Sequence, residues 1–165
     1  MKKNLQLKTE IELRLKEKLG SYVVIFPSAR AAIRSILIHL NLNRDHTIYV
    51  PPYSSNCVYK ATSSICNVST TINKQFDLIL LVHKWGYLYQ IPKNVNSNFI
   101  IADSCDSFLN LNKTSNFDFE IVSFSKTIGE SGGMVLIKNE SDFRSLKNLE
   151  MASREEILFG VQQAN

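Results

Sequence analysis

Residues 121–137 read IVSFSKTIGESGGMVLI, an apolar strand, a lysine flanked by serines, a glycine-rich turn and a second apolar strand. Lys126 therefore lies at the junction of two strands that are predicted to be buried. Burial disfavours the charged form of an amine, so a lysine held there can become nucleophilic toward a carbonyl group. A single lysine at a strand end is more often a solvated surface residue. The interpretation therefore depends on the rest of the chain.

The composition is that of one compact globular domain: of 165 residues, 44% are hydrophobic and 21% are charged. The net charge of +4 is mild, which argues against a nucleic-acid or membrane partner. Neither a signal-peptide pattern nor an apolar run of membrane-spanning length is found, so a cytoplasmic location is expected. Cys57, Cys66 and Cys105 lack the spacing of a zinc site, which predicts reduced thiols and neither a metal nor a disulfide.

Residues 1–20 are predicted to form an N-terminal amphipathic helix that ends at Gly20. Its apolar residues recur at four-residue spacing, and two pairs of opposite charge are placed to support it. The apolar positions are Leu7, Ile11, Leu15 and Leu19, and the pairs are Glu10/Arg14 and Glu12/Lys16. Such a helix can pack on its own domain or lie across a partner subunit. The sequence leaves both open.

Residues 21–165 are predicted to form one α/β domain, with a mainly parallel sheet and flanking helices. Short apolar runs predict its strands. They lie at 22–26, 47–50, 67–72, 77–82, 98–102, 119–122 and 133–137. Helices are predicted after Ser28, at about 57–64, and over 141–163 as one helix or two. The connections at 73–76 and 86–97 are too short for full crossover helices, so the fold is expected to lack some of the helices of a complete parallel α/β domain.

Polar residues follow three consecutive strands of this predicted sheet. They are the segments 83–86 (HKWG), 103–106 (DSCD) and 123–126 (SFSK). Because the carboxyl ends of parallel strands meet along one edge, these groups are expected to face a common crevice. Ser28, at the start of the first helix after a strand, can cap that helix or help its free backbone N–H groups to hold a phosphate.

In this order, the motifs resemble those of the DegT/DnrJ/StrS family of sugar aminotransferases, which are pyridoxal phosphate enzymes of the aspartate aminotransferase fold, fold type I. The resemblance covers roughly residues 20–140. It rests on SARAAI at 28–33, VPPYS at 50–54, VHKWG at 82–86, IADSCD at 101–106, and SFSK at 123–126 with GESGG at 129–133.

The resemblance implies a role for each motif. Lys126 and Asp103 are the catalytic candidates: the lysine would carry the cofactor and move protons, and the carboxylate would keep the pyridine nitrogen protonated. The cofactor-binding candidates are these two residues with Ser28, Ala29, Arg30, Tyr53, Asp106, Ser123 and Ser125. His83 and Trp85 are the substrate-binding candidates.

Two features depart from the family pattern. Ala29 stands in place of a glycine, which restricts the approach of the backbone to a phosphate, and Tyr53 would have to replace an aromatic residue that relatives carry near Ser55 or Asn56. The chain also stops at Asn165, so the resemblance implies a partial large domain with the C-terminal domain absent. Such a domain is expected to expose apolar surface and to associate.

We therefore expect a truncated or minimal aminotransferase, acting on a nucleotide-linked keto-sugar with an amino-acid donor such as glutamate, and with little activity as an isolated chain. A homo-oligomer or a complementary chain would complete it. The alternative is an inactive fragment that binds the cofactor weakly or serves as a partner subunit. A nucleotide-binding module is disfavoured, because no glycine-rich phosphate loop follows the first strand.

Overall fold

The computed structural model describes residues 2–91, 93–107 and 117–163, with side chains from residue 5 to residue 151 within those ranges. Its strands are β1 (Tyr22–Phe26), β2 (Thr47–Tyr49), β3 (Asn67–Ser69), β4 (Gln75–Val82), β5 (Asn96–Asp103), β6 (Phe119–Ser123) and β7 (Gly133–Ile137). Its helices are α1 (Lys2–Leu19), α2 (Ala29–His39), α3 (Asn56–Ser63), α4 (Phe124–Thr127) and α5 (Glu140–Gln163).

The strands form one sheet in the order β1-β7-β6-β5-β4-β2-β3. The neighbours from β3 to β6 pair in parallel, whereas β7 is antiparallel to both β6 and β1. The predicted mainly parallel sheet with flanking helices is therefore confirmed. Its central strands are buried on both faces, which is why they read as continuous apolar runs.

The two faces of the sheet are covered differently. On one face, α2, α3 and α5 enclose the main core, in which Phe26, Ile36 and Phe119 are fully buried. On the other face, Leu15 and Leu19 of α1 pack against a smaller cluster on β1, β6 and β7. The polar ends of the central strands lie between these layers, at the carboxyl edge.

Helix α1 is confirmed, but its predicted apolar face is right only in its second half, where Leu15 and Leu19 pack against the sheet. Leu7 is 56% exposed and Ile11 is 40% exposed, whereas Lys8 and Glu12 are buried. Glu12 accepts a hydrogen bond from the backbone N–H of Ile25 at 2.9 Å. Because β1 is at the edge of the described sheet, that N–H has no strand partner on its outer side among the residues that the structure describes, and the carboxylate satisfies it.

The charge pairs on α1 follow from this orientation. Arg14 pairs with Glu10 at 2.5 Å, as predicted. Glu12 instead forms ion pairs with Lys8 and Lys147, so the predicted Glu12/Lys16 pair was wrong. A carboxylate that is buried needs partners inside the fold, and α1 itself and α5 each supply one of these lysines.

The connections are short, as expected. Residues 70–74 join β3 to β4 without a helix, and the described residues between β4 and β5 contain none. Strand β3 ends at Ser69, earlier than predicted, because the Ser69 side chain bonds to the backbone of Thr71 and turns the chain. Helix α5 is continuous. Among the described residues, no helix has both the length and the apolar character needed to cross a bilayer.

Candidate functional site

A cavity of about 380 Å³ opens at the carboxyl edge of the sheet, where β5, β6, the start of α2, the start of α3 and the turn before β7 meet. Seven of the predicted site residues line it: Ser28, Ala29, Arg30, Asp103, Ser123, Ser125 and Lys126. The polar ends of β5 and β6 thus share one crevice with the first helix after β1. The expectation of a common crevice is met for these residues.

The start of α2 forms one wall of the cavity. The Oγ of Ser28 accepts a hydrogen bond from the backbone N–H of Ala31 at 3.1 Å, so the predicted helix cap is present. The first backbone N–H groups of a helix have no partner within it and carry a partial positive charge. Because Ser28, Ala29 and Arg30 all line the cavity, this wall is suited to an anionic group.

The glycine-rich turn lets β7 approach that wall. A Cβ at Gly133 would lie 2.7 Å from the backbone N of Ala29 and 2.9 Å from the carbonyl O of Val122. Any side chain there would push β7 away from α2. Gly132, which lines the cavity, has a φ of +119°, a conformation that residues with a side chain rarely adopt.

Asp103 presents a buried carboxylate to the cavity. Burial raises the pKa of Asp103, and a hydrogen bond from the backbone N–H of Cys105 at 3.1 Å and the charge of Lys126 act in the opposite direction. A carboxylate in this position is poorly compensated without a cationic partner. The site therefore suits a ligand that carries a positive charge close to Asp103.

Lys126 is held by Asp106. Its Nζ lies 2.9 Å from Oδ1 of Asp106, and the lysine side chain is 45% exposed. Burial acts to lower the pKa of Lys126, but the hydrogen bond and charge of Asp106 outweigh it, so the net pKa is raised. The expectation of a desolvated amine is therefore not met in this state. A lysine is already charged at neutral pH, and the ion pair stabilises that charged form further.

Hydroxyl groups complete the wall beside the lysine. The Oγ atoms of Ser123 and Ser125 lie 2.9 Å apart. Thr127 donates from Oγ1 to the carbonyl O of Ser123 at 2.9 Å, which fixes the short turn of α4. Together with the α2 wall, these hydroxyls place several hydrogen-bond donors around one volume. That donor set matches the oxygens of a phosphate.

Four predicted residues lie outside the lining of this cavity: Tyr53, Asp106, His83 and Trp85. Asp106 does not line the cavity but contacts Lys126, which does. The Tyr53 hydroxyl donates to the carbonyl O of Val82 at 3.3 Å, and burial raises the pKa of Tyr53 to about 12. Its ring therefore packs beside β4 in this state.

His83 and Trp85 follow β4 and have opposite surroundings. His83 is buried, and its Nδ1 accepts from the backbone N–H of Tyr89 at 3.0 Å. Trp85 is 86% exposed and has a φ of +52°, a conformation that is uncommon for a bulky side chain. The structure does not bring these two residues to the cavity.

Sequence reasoning missed four polar residues of the lining: Ser55, Cys57, Cys105 and Ser131. Ser55 and Cys57 lie at the start of α3, which follows β2. In a parallel sheet every strand-to-helix connection reaches the same edge. Applied to β2, that rule predicts a contribution from the start of α3.

The chain as a whole is similar to known proteins. A family model described as "Putative PLP-dependent aminotransferase" matches residues 11–160. No curated protein matches.

Solved structures show the same fold at low identity. The structure of ntda from Bacillus subtilis with bound cofactor PMP aligns with 84% of this chain and 38% of that chain, at 20% identity and a TM-score of 0.66. A DegT DnrJ EryC1 StrS aminotransferase from Brucella abortus aligns with 84% and 48%, at 15% identity and 0.69. The Sphingomonas wittichii serine palmitoyltransferase aligns with 88% and 45%, at 16% identity and 0.65. The chain spans less than half the length of each of these proteins.

Proposed function

The chain belongs to the family of PLP-dependent aminotransferases, and we propose that its cavity binds pyridoxal phosphate for transamination of a nucleotide-linked keto-sugar. The observation that carries the proposal is the convergence of Lys126, the buried Asp103 carboxylate and the hydroxyls of Ser123 and Ser125 on one cavity. Each group has a distinct task toward this cofactor, and the fold supplies all of them from the same sheet edge.

Pyridoxal phosphate, when bound, supplies an aldehyde that a lysine can attack and a pyridinium ring that accepts electrons. Asp103 would hold the protonated ring nitrogen, because a buried carboxylate is stabilised by a cationic partner. Lys126 must first leave Asp106 and lose a proton, since only the neutral amine is nucleophilic. In its neutral form the same amine would be able to move a proton at the substrate carbon.

The phosphate would lie against the α2 wall and the two serine hydroxyls. The Oγ lone pair of Ser28 is already used by the Ala31 N–H, but its hydroxyl hydrogen is still able to donate. Ala29 contributes only its backbone N–H. Arg30 is exposed at the rim, where its charge attracts an anion.

The sugar substrate and the DegT/DnrJ/StrS assignment rest on the five motifs, and among the similar structures is a sugar aminotransferase from Streptococcus pneumoniae, described as putative. The amino-acid donor, proposed to be glutamate, has the same support.

We assign His83 and Trp85 to substrate binding. Because neither lines the cavity, a second copy or a complementary chain would complete the substrate site. A cytoplasmic location belongs to the same proposal.

The test is the absorbance spectrum of the purified chain with pyridoxal phosphate, followed by borohydride reduction and peptide mapping. The pyridoxyl mass is expected on Lys126 and lost in Lys126→Ala. Lys84→Ala is the matched control, because Lys84 lies at the same sheet edge and donates to the carbonyl O of Tyr53 at 2.8 Å. Labelling spread over several lysines and unchanged by Lys126→Ala contradicts the proposal.

A cofactor-binding subunit without turnover is the second candidate. The Lys126–Asp106 ion pair favours it, because it further stabilises the protonated form of the amine. Adding glutamate to the loaded chain separates the two. Conversion to pyridoxamine phosphate supports the aminotransferase, and specific labelling of Lys126 without conversion supports the binding subunit.

A further inference from the structure

We propose that Glu120 is a positioning residue: from the sheet face opposite the cavity, it holds the turn that carries Asp106, the partner of Lys126, and whose Cys105 N–H orients Asp103. Its consequence for cofactor binding rests on the proposed function. Its consequence for the pKa of Lys126 in the free chain does not depend on that function. The two consequences can therefore be tested separately.

Glu120 lies on the far side of β6 from the cavity. Ile121, its neighbour in the strand, belongs to the main core, whereas Val122 belongs to the cluster beneath α1. Successive side chains of a strand point to opposite faces. Glu120 therefore shares the α1 side with Val122, while Ser123 faces the cavity. Leu136 of β7 is its partner across the antiparallel pair.

The Glu120 carboxyl is buried with one hydrogen bond. The residue is 1% exposed, and its Oε1 accepts from the Oγ of Ser104 at 2.5 Å. Its Oε2 is buried and has no hydrogen-bond partner among the described residues. An apolar residue would avoid the cost of burying this group. The carboxyl accepts a hydrogen bond from Ser104, which an apolar side chain could not do.

Ser104 is the anchor of a tight turn. Its backbone N–H donates to the carbonyl O of Ile121 at 2.9 Å, and its own carbonyl O accepts from Ser107 at 3.0 Å. The turn encloses Cys105 and Asp106. With its side chain bound to Glu120, Ser104 is fixed by the side chain and both backbone groups. Few degrees of freedom remain at the start of the turn.

Both carboxylates of the site depend on this turn. Oδ1 of Asp103 accepts from the backbone N–H of Cys105 at 3.1 Å, and Asp106 holds Nζ of Lys126 at 2.9 Å. Displacing Ser104 therefore moves the Cys105 N–H that orients Asp103 and the side chain that pairs with Lys126. A change of this kind lowers the pKa of Lys126, because it weakens the ion pair with Asp106.

The experiment measures Lys126 in the free chain. The pH dependence of its acetylation by acetic anhydride is followed by mass spectrometry and normalised to Lys60, an exposed lysine on α3. Glu120→Met and Ser104→Ala are each expected to move the midpoint to lower pH, giving about three- to tenfold faster labelling below it. Glu120→Gln keeps an acceptor for Ser104 and is expected to leave the midpoint unchanged.

Two controls make the outcome decisive. Leu136→Ala opens a cavity beside Glu120 without touching Ser104, and it should leave the midpoint in place. The double variant Glu120→Met/Ser104→Ala should shift the midpoint no further than either single variant, because both remove the same bond. Unchanged midpoints, an equal shift in Leu136→Ala, or additive shifts overturn the proposal.

The same variants are then titrated with pyridoxal phosphate. Glu120→Met is expected to weaken binding about fivefold or more, and Glu120→Gln to retain it, as for loss of a supporting interaction around a ligand site. If wild-type chain shows no specific binding, the proposed function fails while the acetylation result stands. If wild-type chain binds but Glu120→Met binds equally well, the positioning role in cofactor binding fails.

Discussion

The Nζ of Lys126 and Oδ1 of Asp106 lie 2.9 Å apart, although the residues come from different elements. Asp106 follows β5, and Lys126 lies in α4, after β6. The contact forms because the ends of these two parallel strands are neighbours in the sheet. It joins the residue that the proposed chemistry needs as a neutral nucleophile to a carboxylate that stabilises its charged form.

Asp106→Asn should therefore lower the pKa of Lys126 and speed cofactor attachment near neutral pH. The pair is partly exposed, and such pairs contribute up to about 1 kcal/mol, so we expect an increase of about three- to fivefold. Stopped-flow absorbance with pyridoxal phosphate measures the rate. The difference from wild type should shrink in 1 M salt, which screens exposed charges. A slower variant would show that Asp106 assists attachment rather than opposing it.

Asp103→Asn should weaken the binding of pyridoxal phosphate far more than Asp106→Asn does. The amide cannot supply the negative charge that a protonated ring nitrogen requires, and charge-assisted hydrogen bonds contribute about 1.5–3 kcal/mol, or roughly 10- to 100-fold. Equilibrium titration followed by absorbance gives both dissociation constants. Equal effects of the two substitutions would mean that the assignment of the two carboxylates is wrong.

Gly133→Ala should destabilise the fold where β7 meets α2. The new Cβ would lie 2.7 Å from a backbone N and 2.9 Å from a backbone O, and neither atom is able to rotate away. We expect a loss of about 2 kcal/mol or more in the free energy of unfolding. Gly129→Ala is the control. Its φ is +75°, but apart from its two chain neighbours no described residue has an atom within 4 Å of the added Cβ, so a loss of about 1 kcal/mol is expected. Urea unfolding measures both.

The sheet could be predicted because its information is local. Each strand is a short apolar run, and the crevice follows from where parallel strands end. The orientation of α1 could not be predicted in the same way. The leucine spacing indicated one buried face, whereas burial is decided by Glu12, whose partners lie on β1 and α5, 13 and 135 residues away.

The candidate site shows the same limit. Motif order led to Lys126, Asp103 and the serines, because each follows a recognisable strand. Two contacts could not be predicted in this way: the ion pair between Lys126 and Asp106, and the hydrogen bond from Ser104 to Glu120. Both depend on how the ends of β5 and β6 are aligned. Glu120 also breaks the apolar pattern of β6. In a strand that is otherwise fully buried, a lone carboxyl is the kind of local inconsistency that marks a functional constraint.

Glu120 should also make the stability of the chain depend on pH. Burial raises the pKa of Glu120 from 4.5 to about 7, against the hydrogen bond from Ser104 and the charge of Lys138. The folded chain then holds a proton that the unfolded chain has lost between these two pH values. Stability from the protonated form is fully present below pH 4.5 and is lost as the pH rises through 7.

The size of this pH effect and the choice of control variant both follow from the difference between the two pKa values of Glu120. A rise from 4.5 to about 7 corresponds to about 3 kcal/mol of stability, lost once the pH exceeds 7. Glu120→Gln cannot ionise, so its free energy of unfolding relative to wild type should increase by about that amount between pH 4 and pH 8. Burial lowers the pKa of His83, and this makes both chains less stable as the pH falls below 6.5. Because the histidine is present in both, its contribution cancels in the difference. Urea titrations of the two chains at each pH give that difference, and a constant value would show that Glu120 ionises freely in the folded chain.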